Sequence, residues 1–328
     1  MTRFPDSVLV YVGGDLVGDA VMKLPFVRAL RRAWPAARVT WCAGKHNSAF
    51  ARELGPLVAG LIDEVIEQAG FDRPLGLIGR RPLAGRRFDV LIDTQRGVAT
   101  SLLLRRVRHG RFVSGAARFL LSDAKPPRGY ERPPGMVRQM LDLLELAAGA
   151  PADPQAPLAI DPAAEAAARA ALPAGAVHVG LAPGAGGRQK CWPLDNFIAL
   201  ARRQVAQGRR PAFILGPAEA DRVETLRAAV PQALYPTLGP DGVPAPSIAF
   251  TIALGQRLAA AVANDSGAGH ILAAADAPLV SLFGPTRAAK FAPAARRLVV
   301  IEARAFGAAA MEAIPVEAVA DALDRLVG

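Results

Sequence analysis

SVLVYVGGDLVGDAVMKLPFVRALRRAWPAARVTWC, residues 7 to 42, decides the fold. Ser7 to Val12 is an uncharged run rich in β-branched residues, the pattern of a strand buried on both faces. Glycines at 13, 14 and 18 then break it. Val21, Leu24, Val27, Leu30 and Trp34 follow at helical spacing, with Lys23, Arg28, Arg31 and Arg32 mostly on other faces. Pro25 lies inside this pattern and is expected to kink the helix or leave its first turn irregular. Pro35 ends the helix, and Arg38 to Cys42 supplies the next strand. Strand, helix and strand in this order make a βαβ unit, the building block of a doubly wound parallel sheet.

The rhythm continues outward. Strands are expected at Ile62 to Ile66 and Val90 to Ile92, with helices from Val98 to Arg106 and from Met136 to Ala147. Ser122 to Pro134 is too rich in Pro to be regular, and Ala150 to Pro162 reads as a linker holding a short strand. The second half restarts with strands at Val177 to Ala182, Pro211 to Leu215, Leu258 to Ala263 and Leu279 to Phe283. Its helices are Leu194 to Gln207, Asp221 to Ala229, a stretch ending at Ala275, and Val316 to Leu326. The fold class is therefore α/β, two Rossmann-like domains over residues 1–160 and 161–328 with a cleft between them. The last helix is left free to pack back on the first domain. In open parallel sheets ligands bind beyond the carboxyl ends of the strands.

Composition narrows the function. The 328 residues are 52% apolar and 21% charged, enough to bury two cores and unlike a disordered chain. Lys and Arg number 39 against 29 Asp and Glu, a net charge of +10. The excess is uneven: 23 against 15 in residues 1–155, and 16 against 14 beyond. A basic half points to an anionic partner such as nucleic acid, a phosphorylated glycan or a membrane surface. A genome that favours Arg explains the residue type but not its placement. Apolar stretches are all too short for a spanning helix, and no signal-peptide cleavage pattern follows Asp6. Cys42 and Cys191 match no zinc or redox spacing, so the expected setting is a reducing cytoplasm.

Three turns at strand ends carry the chemistry. Gly13 to Asp19 lacks the G-x-G-x-x-G spacing of a dinucleotide site and brings acids to a helix N-terminus, where the dipole keeps a carboxylate ionised. Asp19, or Asp15, suits either a general base or a helix cap. Pro183 to Gly187, followed by Arg188 and Lys190, offers backbone N–H groups and cations to a phosphate, or is a plain surface loop; it is not a P-loop. At Asn264-Asp265-Ser266-Gly267, free N–H groups suit a diphosphate and Asp265 suits sugar hydroxyls, with capping the alternative.

Taken together, these pieces resemble the heptosyltransferase family of lipopolysaccharide core biosynthesis, inverting glycosyltransferases of family 9 with the GT-B fold. The resemblance rests on Val17-Gly18-Asp19 with Leu24-Pro25, Phe88 to Asp93, and Pro183-Gly184-Ala185 with Lys190 and Trp192-Pro193. It continues through Asn264 to Gly267 with His270 and Leu282 to Thr286, and so covers nearly the whole chain. It implies that the first domain binds acceptor and the second the nucleotide-sugar. By it, Asp19 is the base, and Lys190 binds the donor's phosphates. Asp265 takes the donor's sugar hydroxyls, Gly184, Ala185, Ser266 and Gly267 approach the diphosphate, and Glu219 contacts the nucleoside. Arg28, Arg128 and Arg138 are the expected acceptor contacts. The implied donor is ADP-L-glycero-D-manno-heptose and the implied acceptor an acidic Kdo/heptose glycolipid at the inner face of the inner membrane. No metal and no cofactor are implied. The chain departs from the family pattern at Cys191, at Ser266 and near Gly135-Met136, where relatives commonly carry a His.

Three other readings compete. A GT-B enzyme using another sugar nucleotide for a surface glycan keeps every motif. A dehydrogenase lacks its fingerprint glycines, and a nucleic-acid binder lacks an RNP-like aromatic cluster.

Overall fold

The computed structural model describes residues 4–71, 82–155 and 158–328. The chain divides into two compact units between Pro157 and Leu158. The first comprises β1 (Ser7–Val12), α1 (Val17–Ala33), β2 (Arg38–Ala43), β3 (Glu64–Ile66), β4 (Arg87–Asp93), α2 (Val98–Leu104), β5 (Arg108–Ser114) and α3 (Met136–Ala148). Its five strands are all parallel, in the order β3-β2-β1-β4-β5. The order reverses between β1 and β4, so the loops leaving these two strands diverge and open a crevice at the carboxyl edge.

The period-two rule of strands explains the core. Leu9, Tyr11, Cys42, Leu91 and Phe112 pack with Phe71, Phe88 and Leu104 into one cluster. On the opposite face Trp41, wholly buried, packs against Phe26 of α1 at 6.3 Å between ring centroids. α1 runs from Val17 to Ala33 through Pro25 without a break. It is buried without interruption from Ala20 to Leu30, Lys23 and Arg28 included.

The second unit holds α4 (Pro162–Ala171), β6 (His178–Ala182), α5 (Leu194–Ala206), β7 (Arg210–Phe213), α6 (Val223–Ala229), α7 (Ile248–Gly255) and β8 (Ala260–Asn264). There follow α8 (Gly267–Ala274), β9 (Leu279–Phe283), α9 (Ala288–Phe291), β10 (Leu298–Glu302) and α10 (Val316–Val327). Its parallel sheet has the order β10-β9-β8-β6-β7 and again reverses beside its first strand, between β6 and β8. Large residues (Val179, Leu181, Val262, Val280, Leu282) face the layer that contains α5, α6 and α10. Small ones (Ala182, Ala212, Ala261, Ala263) face α7, α8 and α4, which Cβ-sized side chains let approach closely. α10 lies with this unit, packed on α5, β8 and β9.

Two strands and three helices go beyond the sequence expectation: β5, β10, α4, α7 and the four-residue α9. The strand expected in the linker is missing from residues 158–161, which lead directly into α4. No helix among the described residues is long and apolar enough to cross a membrane.

Candidate active site

In the first unit the crevice between β1 and β4 is a cavity of about 360 Å³, lined by Gly13, Gly14, Asp19, Thr94, Gln95 and Phe119 among others. A second cavity of about 630 Å³ adjoins it and includes Leu16, Lys45, Asn47 and Arg52. Asp19, Gly14 and His46 line both. His46 is brought there by the backbone, because its N–H and that of Lys45 both bond Gly13 O, at 3.2 and 2.9 Å. Gly14 is required at this approach: a Cβ there would lie 2.5 Å from the His46 Cβ.

The two acids of the first turn have different fates. Asp15 is 3% exposed. It accepts from Lys23 Nζ, from Trp41 Nε1 at 2.8 Å and from Ser48 Oγ at 2.9 Å. Its carboxylate is fully engaged inside the fold. Asp19 is exposed in the first turn of α1 and has no hydrogen-bond or ion-pair partner among the described residues. Neither acid caps the helix. The N-cap is Leu16, without a side-chain bond, so the first-turn N–H groups stay available to favour a negative charge at Asp19.

The second unit builds a different arrangement at the ends of β6 and β8. Asn264 ties the two loops, accepting from Trp192 N–H at 3.1 Å and donating to Pro183 O at 2.9 Å. That linkage brings Lys190 to Asp265, with Nζ 2.8 Å from Oδ2. Thr286, in the turn after β9, donates to the same oxygen at 2.6 Å. Ser266 caps α8 by accepting from Gly269 N–H at 3.4 Å, leaving Gly267 in its first turn. Glu219, 7% exposed, accepts from Gly216 N–H at 2.8 Å. It stands so close to Gly184 that a Cβ there would fall 2.6 Å from its carboxylate. The chain thus gathers Lys190 with Asp265, and Gly184 with Glu219, at one sheet edge; Ala185 follows in the same loop. Among the described residues no group of three or more His, Cys, Asp or Glu is placed to hold a metal ion.

The model of glycosyltransferase family 9 (heptosyltransferase) matches residues 79–313. The chain belongs to glycosyltransferase family 9. A curated relative, lipooligosaccharide heptosyltransferase 2 of Haemophilus influenzae, is 34% identical over 110 residues. That match spans 33% of this chain and only 31% of that protein. Among solved structures, a family 9 glycosyl transferase from Veillonella parvula aligns with a TM-score of 0.69 at 19% identity, covering 100% of this chain and 98% of that one. E. coli heptosyltransferase WaaC with ADP aligns at 0.66 and 18%, covering 98% and 99%, and E. coli ADP-heptose lps heptosyltransferase II at 0.63 and 20%, covering 98% of each. These likenesses show the GT-B fold.

For this family 9 chain none of the three expected acceptor cations, Arg28, Arg128 and Arg138, lines either cavity beside Asp19. Arg28 is 3% exposed within α1 and is already engaged inside the fold. Arg138 is bound by Asp142 and Glu145, each at 2.7 Å. Arg128 is exposed on the Pro-rich loop but lines neither cavity. The basic side chains that do line the first cavity are Lys23, His46, Arg96 and Arg132. Arg132 donates to Gly115 O at 2.9 Å. A usable signal existed for Arg96, which lies in the turn just after β4, and for Thr286, which closes the last quoted motif. Lys23 gave none, being one of four cations on a helix.

Proposed function

We propose that this family 9 protein is an inverting heptosyltransferase, moving heptose from ADP-L-glycero-D-manno-heptose to the Kdo/heptose inner core of a lipopolysaccharide acceptor. The observation that carries the reading is the unpartnered Asp19 carboxylate, held at a helix N-terminus on the ridge between two cavities while its neighbour Asp15 is fully engaged. The family, and relatives described as heptosyltransferases and solved with ADP, support the substrate class.

The first unit then takes the acceptor and the second the donor. Asp19 accepts the proton of the acceptor hydroxyl as its oxygen attacks the anomeric carbon from the face opposite ADP. The bond to the diphosphate breaks, and configuration inverts in one displacement. Lys190 and the N-terminus of α8 meet the charge that develops on the leaving diphosphate, in place of a divalent ion. Asp265 receives donor hydroxyls, and Glu219 with Gly184 shapes the nucleoside end. The basic cavity suits an acidic glycolipid at the inner face of the inner membrane, which the protein meets peripherally from the cytoplasm. Nucleic acid is not a partner in this reading.

Incubation with ADP-heptose and a panel of truncated core lipids, read by mass, tests the proposal. The expected product gains one heptose as ADP appears. If another sugar nucleotide alone supports transfer, the heptose assignment falls and the glycosyltransferase remains. A donor-site substitution gives a second check. Gly184→Ala should weaken ADP binding by about tenfold, because its Cβ meets the Glu219 carboxylate. Gly186→Ala, whose Cβ meets open space, should leave titration with ADP unchanged.

A further inference from the structure

Two loops wall the cavity beside Asp19, one after β4 and one after β5, and a single buried side chain joins them. Asp93, the last residue of β4, has no exposed surface. Its Oδ1 accepts the Gln95 N–H at 2.9 Å. Its Oδ2 accepts the Ser101 hydroxyl of α2 at 2.5 Å and the Ser114 hydroxyl of β5 at 2.8 Å. Ser114 Oγ in turn accepts the Ala116 N–H at 3.1 Å. One carboxylate therefore fixes where both loops begin. Thr94, Gln95 and Arg96 of the first loop and Gly115 and Phe119 of the second line the cavity. The second loop needs such an anchor, since Ala117, Arg118 and Phe119 have φ of 47, 54 and 66°. Left-handed backbone costs non-glycine residues roughly 1–2 kcal/mol each, so an unanchored loop would relax.

On the reading that this cavity takes the acceptor, we propose that Asp93 is a positioning residue for acceptor binding: it touches no substrate, and its ionised carboxylate holds both walls at the spacing the acceptor needs. All its donors are neutral: Ser101 from α2, Ser114 from β5 and the Gln95 N–H of its own loop. Its register partner on β1, Tyr11, has its phenol turned over Gly44. The charged groups of α3 next to it, Arg138, Asp142 and Glu145, bind one another. Lys23 of α1 binds Asp15, while Asp19 and Arg96 line the cavity. Burial without a cation pushes the Asp93 carboxyl up to about 6, the two serine hydroxyls and the Gln95 N–H opposing that rise. Once protonated, the acid must donate to one of the serine hydroxyls from which it accepts, and the link to the second loop loosens.

Asp93→Asn tests this, because the amide keeps the shape and the Oδ1 acceptor yet presents a donor to the serines, as the protonated acid does. Acceptor KM for a Kdo-bearing inner-core oligosaccharide, kcat and ADP affinity are measured from about pH 5 to about pH 8, bracketing the titration. Wild-type acceptor KM should rise about three- to tenfold below about pH 6. Asp93→Asn should hold the higher KM throughout, with kcat at each pH and ADP affinity matching wild type. Ser114→Ala removes a bond that favours the ionised form, so it should move the KM midpoint to higher pH. A merely structural role would lower Tm and leave that midpoint in place. A wild-type KM and pH profile in Asp93→Asn overturns the proposal. Gln95→Ala and Arg96→Ala separate the two failures. If they raise acceptor KM and Asp93→Asn does not, the positioning role alone falls; if they leave KM unchanged, the cavity assignment falls with it.

Discussion

Asp19→Asn is expected to lower the rate of transfer by about 10²–10⁴-fold, the usual worth of a positioned general base, while ADP-sugar binding stays intact. The amide is the same size and sits in the same first turn, but it cannot take a proton at the moment of attack. Nothing in the fold depends on the side chain, which is exposed and bonded to no described residue. The loss should therefore appear in kcat, with an unchanged melting temperature. Asp15→Asn supplies the contrast. Asp15 is the acceptor for the buried Lys23 ammonium, and its side chain has no exposure. Neutralising it strands that charge, a change that typically costs about 3–5 kcal/mol of stability. Asp15→Asn should lower Tm sharply and leave kcat near normal where the protein is still folded. Stopped turnover in Asp15→Asn at full folding, with near-normal turnover in Asp19→Asn, would move the base to Asp15.

These contrasts also show what a sequence can carry. β1 and the turn after it were legible because a buried parallel strand is a dense apolar run, and ligand groups cluster at its carboxyl end. β5 was missed because its first half, Arg108-His109-Gly110-Arg111, is polar on an exposed sheet edge. The buried face of α4 is built from alanines alone, Ala164, Ala168 and Ala171, and α7 is apolar nearly all round, so neither carries the stripe of large apolar residues that marks a helix in sequence. The same limit applies to the site. Asp19, Lys190 and Asp265 lie in turns that follow strands, where local pattern offers them among alternatives and only the family resemblance chooses between those. Whether Arg28 faces solvent depends on α1 being covered by α3 and the 49–51 turn as well as by the sheet. The convergence of Lys23, His46, Arg96 and Arg132 on one cavity joins segments far apart in the chain, and no local pattern encodes it.

Lys190→Ala is expected to reduce kcat/KM for the sugar nucleotide by roughly 10²–10³-fold, the range seen when one electrostatic contact to a developing oxyanion is removed. Two effects combine. The ammonium that would face the diphosphate is gone, and Asp265, 8% exposed, keeps only the Thr286 hydroxyl as a side-chain donor among the described residues. An unpaired carboxylate beside a leaving diphosphate repels it, so the single substitution should cost more than the missing contact alone. Asp265→Asn should be milder toward ADP, because it removes a negative charge and leaves Lys190 free, while still weakening contacts to the donor sugar. The double variant Lys190→Ala, Asp265→Asn should then bind ADP better than Lys190→Ala, a coupling that independent contacts would not produce. ADP titration of the three variants measures it directly, and strict additivity would mean that the 2.8 Å pair has no part in phosphate recognition. If these protein groups alone offset the diphosphate charge, a chelator such as EDTA should leave wild-type transfer unchanged, whereas activity restored only by a divalent ion would assign that task to metal.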